Sequence, residues 1–183
     1  MFTPSLVHSS DELQQILLLQ ENNLRQHLSP EEKQSQGFVT LQHDLPTLQK
    51  MHTLSPGIVI KKDNAVVAYA LTMAPGCREL IPALEPMYAL LDKLNWENKP
   101  LSAYNYYVMG QICIDKQYRG QGLFEMLYHF HRTIYSPQFD LFITEIATRN
   151  HRSLRAHTRI GFKVIHTYKD ELDEWAVVGW NWT

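Results

Sequence analysis

The segment Ile112-Cys113-Ile114-Asp115-Lys116-Gln117-Tyr118-Arg119-Gly120-Gln121-Gly122-Leu123 carries the clearest chemical pattern in the chain. An apolar, β-branched stretch runs into a short loop with two glycines, and a helix begins at once. Such a turn aims several backbone N–H groups and the positive end of a helix at one point, which suits a phosphate or pyrophosphate. Glycine serves there because the ligand approaches the backbone more closely than a Cβ allows. Two other phosphate loops do not fit. A Walker loop ends in Gly-Lys-Ser/Thr, whereas Gly122 is followed by Leu123 and Phe124. A dinucleotide fingerprint needs a small residue where Glu125 stands.

The elements that must position this loop can be read from periodicity. A short apolar stretch spans Phe2 to Val7, and Ser9, Ser10 and Asp11 offer caps to a helix whose stripe is Leu13, Ile16, Leu17 and Leu24. Ser29-Pro30-Glu31-Glu32 starts a second helix, with a capping Ser, Pro at the first helical position and acids in the first turn. A third covers Asp44 to Thr53. Gly57 to Lys61 and Ala65 to Met73 read as a hairpin turning at Lys62-Asp63-Asn64. Leu80 to Leu94 reads as one helix or two short pieces interrupted by Pro82 and Pro86. Tyr104 to Ile114 alternates as a strand, and Gly110 and Gln111 mark a bulge in it. Gly122 to Tyr135 is helical, with Leu123, Leu127, Phe130 and Ile134 on one face. Leu141 to Ala147 is an apolar strand, Asn150 to Ile160 a helix stopped by Gly161, and Phe162 to Tyr168 and Trp175 to Trp182 are final strands around Asp170-Glu171-Leu172-Asp173. This order implies an α/β (α+β mixed) fold in one domain over residues 1–183. The helix between Tyr104–Ile114 and Leu141–Ala147 is the crossover that parallel neighbours require.

Gln117-Tyr118-Arg119-Gly120-Gln121-Gly122 resembles the Q/R-x-x-G-x-G/A signature of the GNAT superfamily of acyl-coenzyme A-dependent N-acetyltransferases. The context supports it: after the strand Leu141 to Ala147 comes Asn150, and Gly161-Phe162 follows at the family's Asn-to-Gly-Phe spacing. The resemblance extends from about Tyr104 to the C-terminus. It implies a central mixed, mostly antiparallel sheet of about six or seven strands flanked by helices, with the two parallel strands splayed at the cofactor. It also implies acetyl-CoA as co-substrate, its pyrophosphate held by the amides of Gln117, Tyr118, Arg119, Gly120, Gln121, Gly122 and Leu123, with Phe124 beside them. Ile112, Cys113 and Ile114 would meet the pantetheine like an added strand and polarise the thioester carbonyl, and Asn150 would bond the pantetheine arm. Residues 101–183 would form the cofactor core and 1–100 most of the acceptor side.

The catalytic candidates come next. Many enzymes of the superfamily have Tyr seven residues after the Asn, where it protonates the leaving thiolate; here that position is His157. His157 is either that acid or a lining residue of the pocket. Glu145 lies inside the apolar run Phe142-Ile143-Thr144-Glu145-Ile146, where a carboxylate is costly unless paired or functional. It is the candidate general base, and a salt bridge to a neighbouring Arg explains it equally well. Asn150 also reads as a helix N-cap, Lys116 and Arg119 as solvated or phosphate-facing, and Cys113 as a small buried residue. His129 and His131 are two apart on a helix and share no face, so no metal site is expected.

Composition narrows the classes. With 17 Lys+Arg against 19 Asp+Glu in 183 residues, there is no excess positive charge to neutralise a nucleic acid backbone. The isolated Cys77 and Cys113 form no disulfide framework, and no apolar stretch approaches the ~20 residues that span a bilayer. A cytoplasmic protein without nucleic acid or membrane partners is expected, as monomer or homodimer. The function expected is acetyl transfer from acetyl-CoA to a primary amine of a small molecule or protein by direct attack; the alternatives are a non-catalytic CoA sensor or acyl transfer to a non-amine. Glu79, Glu85, Asp92 and Glu97 either attract a cationic amine or form a solvated face.

Overall fold

The computed structural model describes residues 1–32 and 38–182. Nine strands and five α-helices succeed one another among them: β1 (Thr3–Leu6), α1 (Ser10–Glu21), α2 (Leu45–Leu54), β2 (Ile58–Lys62), β3 (Ala65–Met73), α3 (Glu85–Leu91), β4 (Asn95–Trp96), β5 (Lys99–Pro100), β6 (Tyr106–Ile114), α4 (Leu123–Tyr135), β7 (Leu141–Ala147), α5 (His151–Ile160), β8 (Lys163–Lys169) and β9 (Glu174–Asn181). Seven strands form one sheet in the order β1-β2-β3-β6-β7-β9-β8, and β4 and β5 form a separate ribbon. Every pairing in the large sheet is antiparallel except β6 with β7. The sheet takes strands from both the N- and the C-terminal half of the chain.

Alternation along the strands divides the core in two. Val59, Tyr69, Leu71, Val108, Ile143 and Val177 face α1, α2 and α3. Ile58, Ile60, Ala68, Ala70, Phe142 and Val178 face α4 and the Phe162 corner. Local chemistry fixes the helix ends. Ser9 and Asp44 cap α1 and α2 by accepting from Glu12 N and Thr47 N, and Gly161 ends α5 at φ +116°. Asp63 and Asn64 both take positive φ in the β2–β3 hairpin, the turn expected of such a pair. Ser29 and Glu32 exchange capping hydrogen bonds at the second helix start; the course of that helix beyond Glu32 lies outside the described residues.

Two sequence expectations are corrected. Leu24 is buried but lies beyond the end of α1, and within the helix Leu19 and Gln20 are buried while Leu17 is only partly covered. On α4 the buried face is Leu123, Leu127, Tyr128, His131 and Tyr135, while Phe130 and Ile134 are only partly covered. Polar-tipped rings are buried here in pairs: Tyr107 Oη lies 3.1 Å from His131 Nδ1 and Tyr128 Oη 2.5 Å from His157 Nε2. For the stretch Leu80 to Leu94 the second of the two expected forms holds: a 3₁₀ turn at Pro82–Leu84 followed by α3, as its prolines allow.

The buried histidines make the fold acid-sensitive. Desolvation holds His43 and His157 down at about 4 and His131 at about 3. The unfolded chain, with histidines near ~6.5, binds more protons below that pH, so this stability is intact above about pH 6.5 and is lost as pH falls toward 4. Glu145, raised to about 7 by burial, acts in the opposite sense as one group against three. Thermal melts followed by circular dichroism are expected to lose midpoint steadily from about pH 7 to about pH 4.5. A flat profile would contradict the neutral burial of these rings.

Candidate active site

The parallel pair is short. β6 and β7 are in register only from Tyr106–Leu141 to Val108–Ile143, after which each keeps its outer neighbour and the two part. A bulge starts the separation: Leu71 pairs with Gln111 and Thr72 with Met109, leaving Gly110 as the extra residue. Thr144 Oγ1 donates to Met109 O at 3.2 Å across the mouth of the gap. Farther along, Asp115 N–H donates to Val67 O on β3 at 2.9 Å, and Arg119 Nε donates to Ile114 O at 3.0 Å from the opposite side. Alternation therefore turns the backbone groups of Ile112 and Ile114 toward the gap, as expected of strands that splay.

Two cavities meet at this gap. The first, about 570 Å³, is lined by Ile112, Cys113, Ile114, Arg119, Gly120, Gly122, Leu123, Phe124 and Asn150. Gly120 and Gly122 have φ of +77° and +79°, and a Cβ added at either would meet no protein atom within 4 Å. The left-handed turn requires glycine, and the space above it is open to a ligand. Gly122 is the N-cap of α4 and supplies no side-chain cap, so the first amides of the helix face the cavity mouth. The expected cradle is shorter than the motif. Gln117 N–H is taken by Asp115 Oδ1 and Tyr118 N–H by Asp115 O, both at 2.9 Å. Tyr118 packs its ring edge-on against Phe2, and Gln121 Nε2 turns back to Gln117 O. Sequence reasoning missed Arg152, Arg155 and Arg159, which line this cavity from one face of α5 at spacings of three and four that were legible in the chain.

Asn150 stands at the junction, lining both cavities. Its Oδ1 caps α5 through Ser153 N and its Nδ2 donates to Phe38 O, each at 3.3 Å. Residues 38–43 roof the gap. A buried polar network anchors them: Gln111 Nε2 donates to Leu41 O at 2.7 Å, His43 N to Gln20 Oε1 at 2.7 Å, and Gln20 Nε2 to Gln111 Oε1 at 2.8 Å.

The second cavity, about 520 Å³, contains Glu145. Its carboxyl is bonded not to an arginine but to the Tyr168 hydroxyl, which donates to Oε1 at 2.5 Å. Burial pushes Glu145 up to about 7 despite that bond. It is therefore a carboxylate that exchanges a proton near neutrality. Tyr168 was invisible in the sequence because β8 reaches it only through β9, which lies between β8 and β7. Glu79, Glu85, Asp92 and Glu97 line neither cavity; Glu85 and Asp92 instead clasp Arg78 at 2.6 and 2.9 Å.

His157 borders the second cavity but is committed to the core. Ser153 O can only accept, so Nδ1 carries the proton at 2.8 Å from it, and Nε2 accepts from Tyr128 Oη. With the ring held down at about 4, it is neutral and has no proton aimed at the gap. We propose that His157 lines the pocket rather than serving as the acid. His157→Phe is expected to change kcat by less than about threefold and to cost about 1–3 kcal/mol of stability, since the Tyr128 hydroxyl loses its acceptor. A folded variant with kcat down about a hundredfold would restore the acid role.

No protein-family model matches the chain, and no curated protein matches it. Solved structures do. The ribosomal-protein-S18-alanine N-acetyltransferase of Escherichia coli superposes with a TM-score of 0.66 at 11% identity, over 99% of this chain and 94% of that one. A GNAT-family acetyltransferase of Streptococcus agalactiae gives 0.67 at 15% identity, over 98% and 95%. A Salmonella typhimurium protein solved with its cofactor acetyl-CoA gives 0.66 at 12%, over 100% and 95%. The chain has the fold of the GNAT superfamily of N-acetyltransferases. The likeness covers the N-terminal half as well as the motif-bearing half.

Proposed function

We propose that this chain is an acetyl-CoA-dependent N-acetyltransferase that acts on a primary amine by direct attack. The observation that carries the reading is the meeting of two cavities where β6 and β7 part, one beneath the glycine turn and the other holding Glu145. The open cradle at Gly120 and Gly122 and the amides at the start of α4 fit a pyrophosphate. Arg119, Arg152, Arg155 and Arg159 supply positive charge beside it. The backbone groups of Ile112, the N–H of Ile114 and the remaining hydrogen-bonding capacity of the Asn150 side chain suit a pantetheine arm. Acetyl-CoA brings an acyl thioester whose thiol, of pKa about 8.5 when free, leaves readily.

Glu145 is the base. It accepts the proton that the amine nitrogen sheds as its lone pair forms the new C–N bond, and Tyr168 holds the carboxyl in place. The departing thiolate takes its proton from solvent. The buried, unpaired Cys77 and Cys113 support a reducing, cytoplasmic setting, and no helix among the described residues is long and apolar enough to cross a membrane. A chromogenic assay of free thiol with a panel of primary amines tests the reading. Thiol release that depends on the amine is expected; tight binding of acetyl-CoA with no release for any amine would mark a sensor instead.

A further inference from the structure

The two cavities carry opposite charge. Among the described residues, the first is lined by Arg119, Arg152, Arg155 and Arg159 against a single acid, Glu125, which pairs with Arg159 at 2.7 Å. Among the described residues lining the second there is no Lys or Arg, and the ionisable groups are Glu145, Asp170, Glu171, Tyr168 and the neutral His157. The rest of that wall is largely apolar, with Leu41, Leu84, Met87, Val108 and Ile146, together with the rings of Phe38 and Trp175.

We propose that the acceptor is a small amine with an apolar or aromatic body and no acid group. The inference rests on the acetyltransferase reading and narrows it. An amino acid or a phosphorylated amine would bring an anion into a space whose described lining holds three acids and no cation, where an unpaired charge is costly to desolvate. A polyamine or an extended peptide would press further polar groups against Leu41, Leu84 and Met87 with few partners to satisfy them. One ammonium is a different matter. Asp170 and Glu171 on the exposed β8–β9 turn draw it in, and Glu145 meets it at depth. A volume of about 520 Å³ lies in the range of small-ligand sites.

The test compares 2-phenylethylamine with phenylalanine, which differs only by its carboxylate, and with spermidine and an alanine-initiated peptide. With saturating acetyl-CoA, kcat/KM for 2-phenylethylamine is expected to exceed that for phenylalanine by about a hundredfold or more. Quenching of tryptophan fluorescence, with Trp175 in the wall, reads binding of each amine without acetyl-CoA and should give the same order. Glu171→Lys, on the exposed turn, should weaken 2-phenylethylamine about fivefold at low salt and narrow the gap to phenylalanine. Turnover of phenylalanine, spermidine or the peptide as good as that of 2-phenylethylamine would overturn the ligand class and leave acetyl transfer standing. Selective binding of 2-phenylethylamine without thiol release would support the ligand class and overturn the transferase reading.

Discussion

Glu145→Gln is expected to lower kcat for amine acetylation by about 10²–10³-fold, in the range for loss of a general base, and at the same time to raise the thermal midpoint above pH 7. The two effects share a cause. Desolvation raises the folded carboxyl to about 7 from an ordinary value near 4.5. Between those values the folded state binds more protons than the unfolded one, so the contribution of Glu145 is full below pH about 4.5 and is lost as pH rises through about 7. A neutral amide of the same shape escapes that loss, which is on the order of 3 kcal/mol. Activity runs the other way, because only the carboxylate accepts a proton. In the wild type kcat should climb through pH about 7, and in Glu145→Gln that limb should vanish. Melts and rate profiles from about pH 5.5 to about pH 9 check both. A variant with undiminished kcat would move the base elsewhere.

Gly122→Val is expected to weaken acetyl-CoA by more than about tenfold while costing about 1–3 kcal/mol of stability. Gly122 sits at φ +79°, where a β-branched residue is strained, and its added Cβ meets no protein atom within 4 Å. The new side chain therefore projects into the first cavity, at the spot where the α4 amides converge. Gly161→Ala is the control. It carries the same kind of strain at φ +116°, but its Cβ would press on Trp180 Nε1 at 3.0 Å. Calorimetry should show affinity lost in the first variant and kept in the second. Equal affinity in both, with both folded, would remove the phosphate site from the glycine turn.

The residues that punctuate or offend a local pattern were the ones legible in the sequence. Gly120 and Gly122 marked the turn, Gly110 the bulge and Glu145 a charge inside an apolar strand, because each breaks a rule that only structure or chemistry repairs. Partnerships across the sheet were not legible. Tyr168 reaches Glu145 through a strand order that no spacing encodes. His157 holds the family position, yet faces Tyr128 because α4 and α5 pack their rings together on one side of the sheet. The same packing explains the misread stripe of α4: Tyr128 and His131 look amphipathic in sequence and become core once their hydrogen bonds close. Gln117 and Tyr118 belong to the motif, but Asp115 claims their amides before any ligand arrives.

A single-turnover experiment tests acetyl transfer most directly. Protein in excess over acetyl-CoA is mixed with 2-phenylethylamine and quenched over time, and free thiol, N-acetylated amine and acetylated protein are measured together by mass spectrometry. Direct attack at the junction of the two cavities predicts thiol and N-acetylated amine rising at one rate in equal amounts, with no acetyl group on the protein at any time. Thiol appearing without acetylated amine, or an acetylated protein preceding it, would contradict the account.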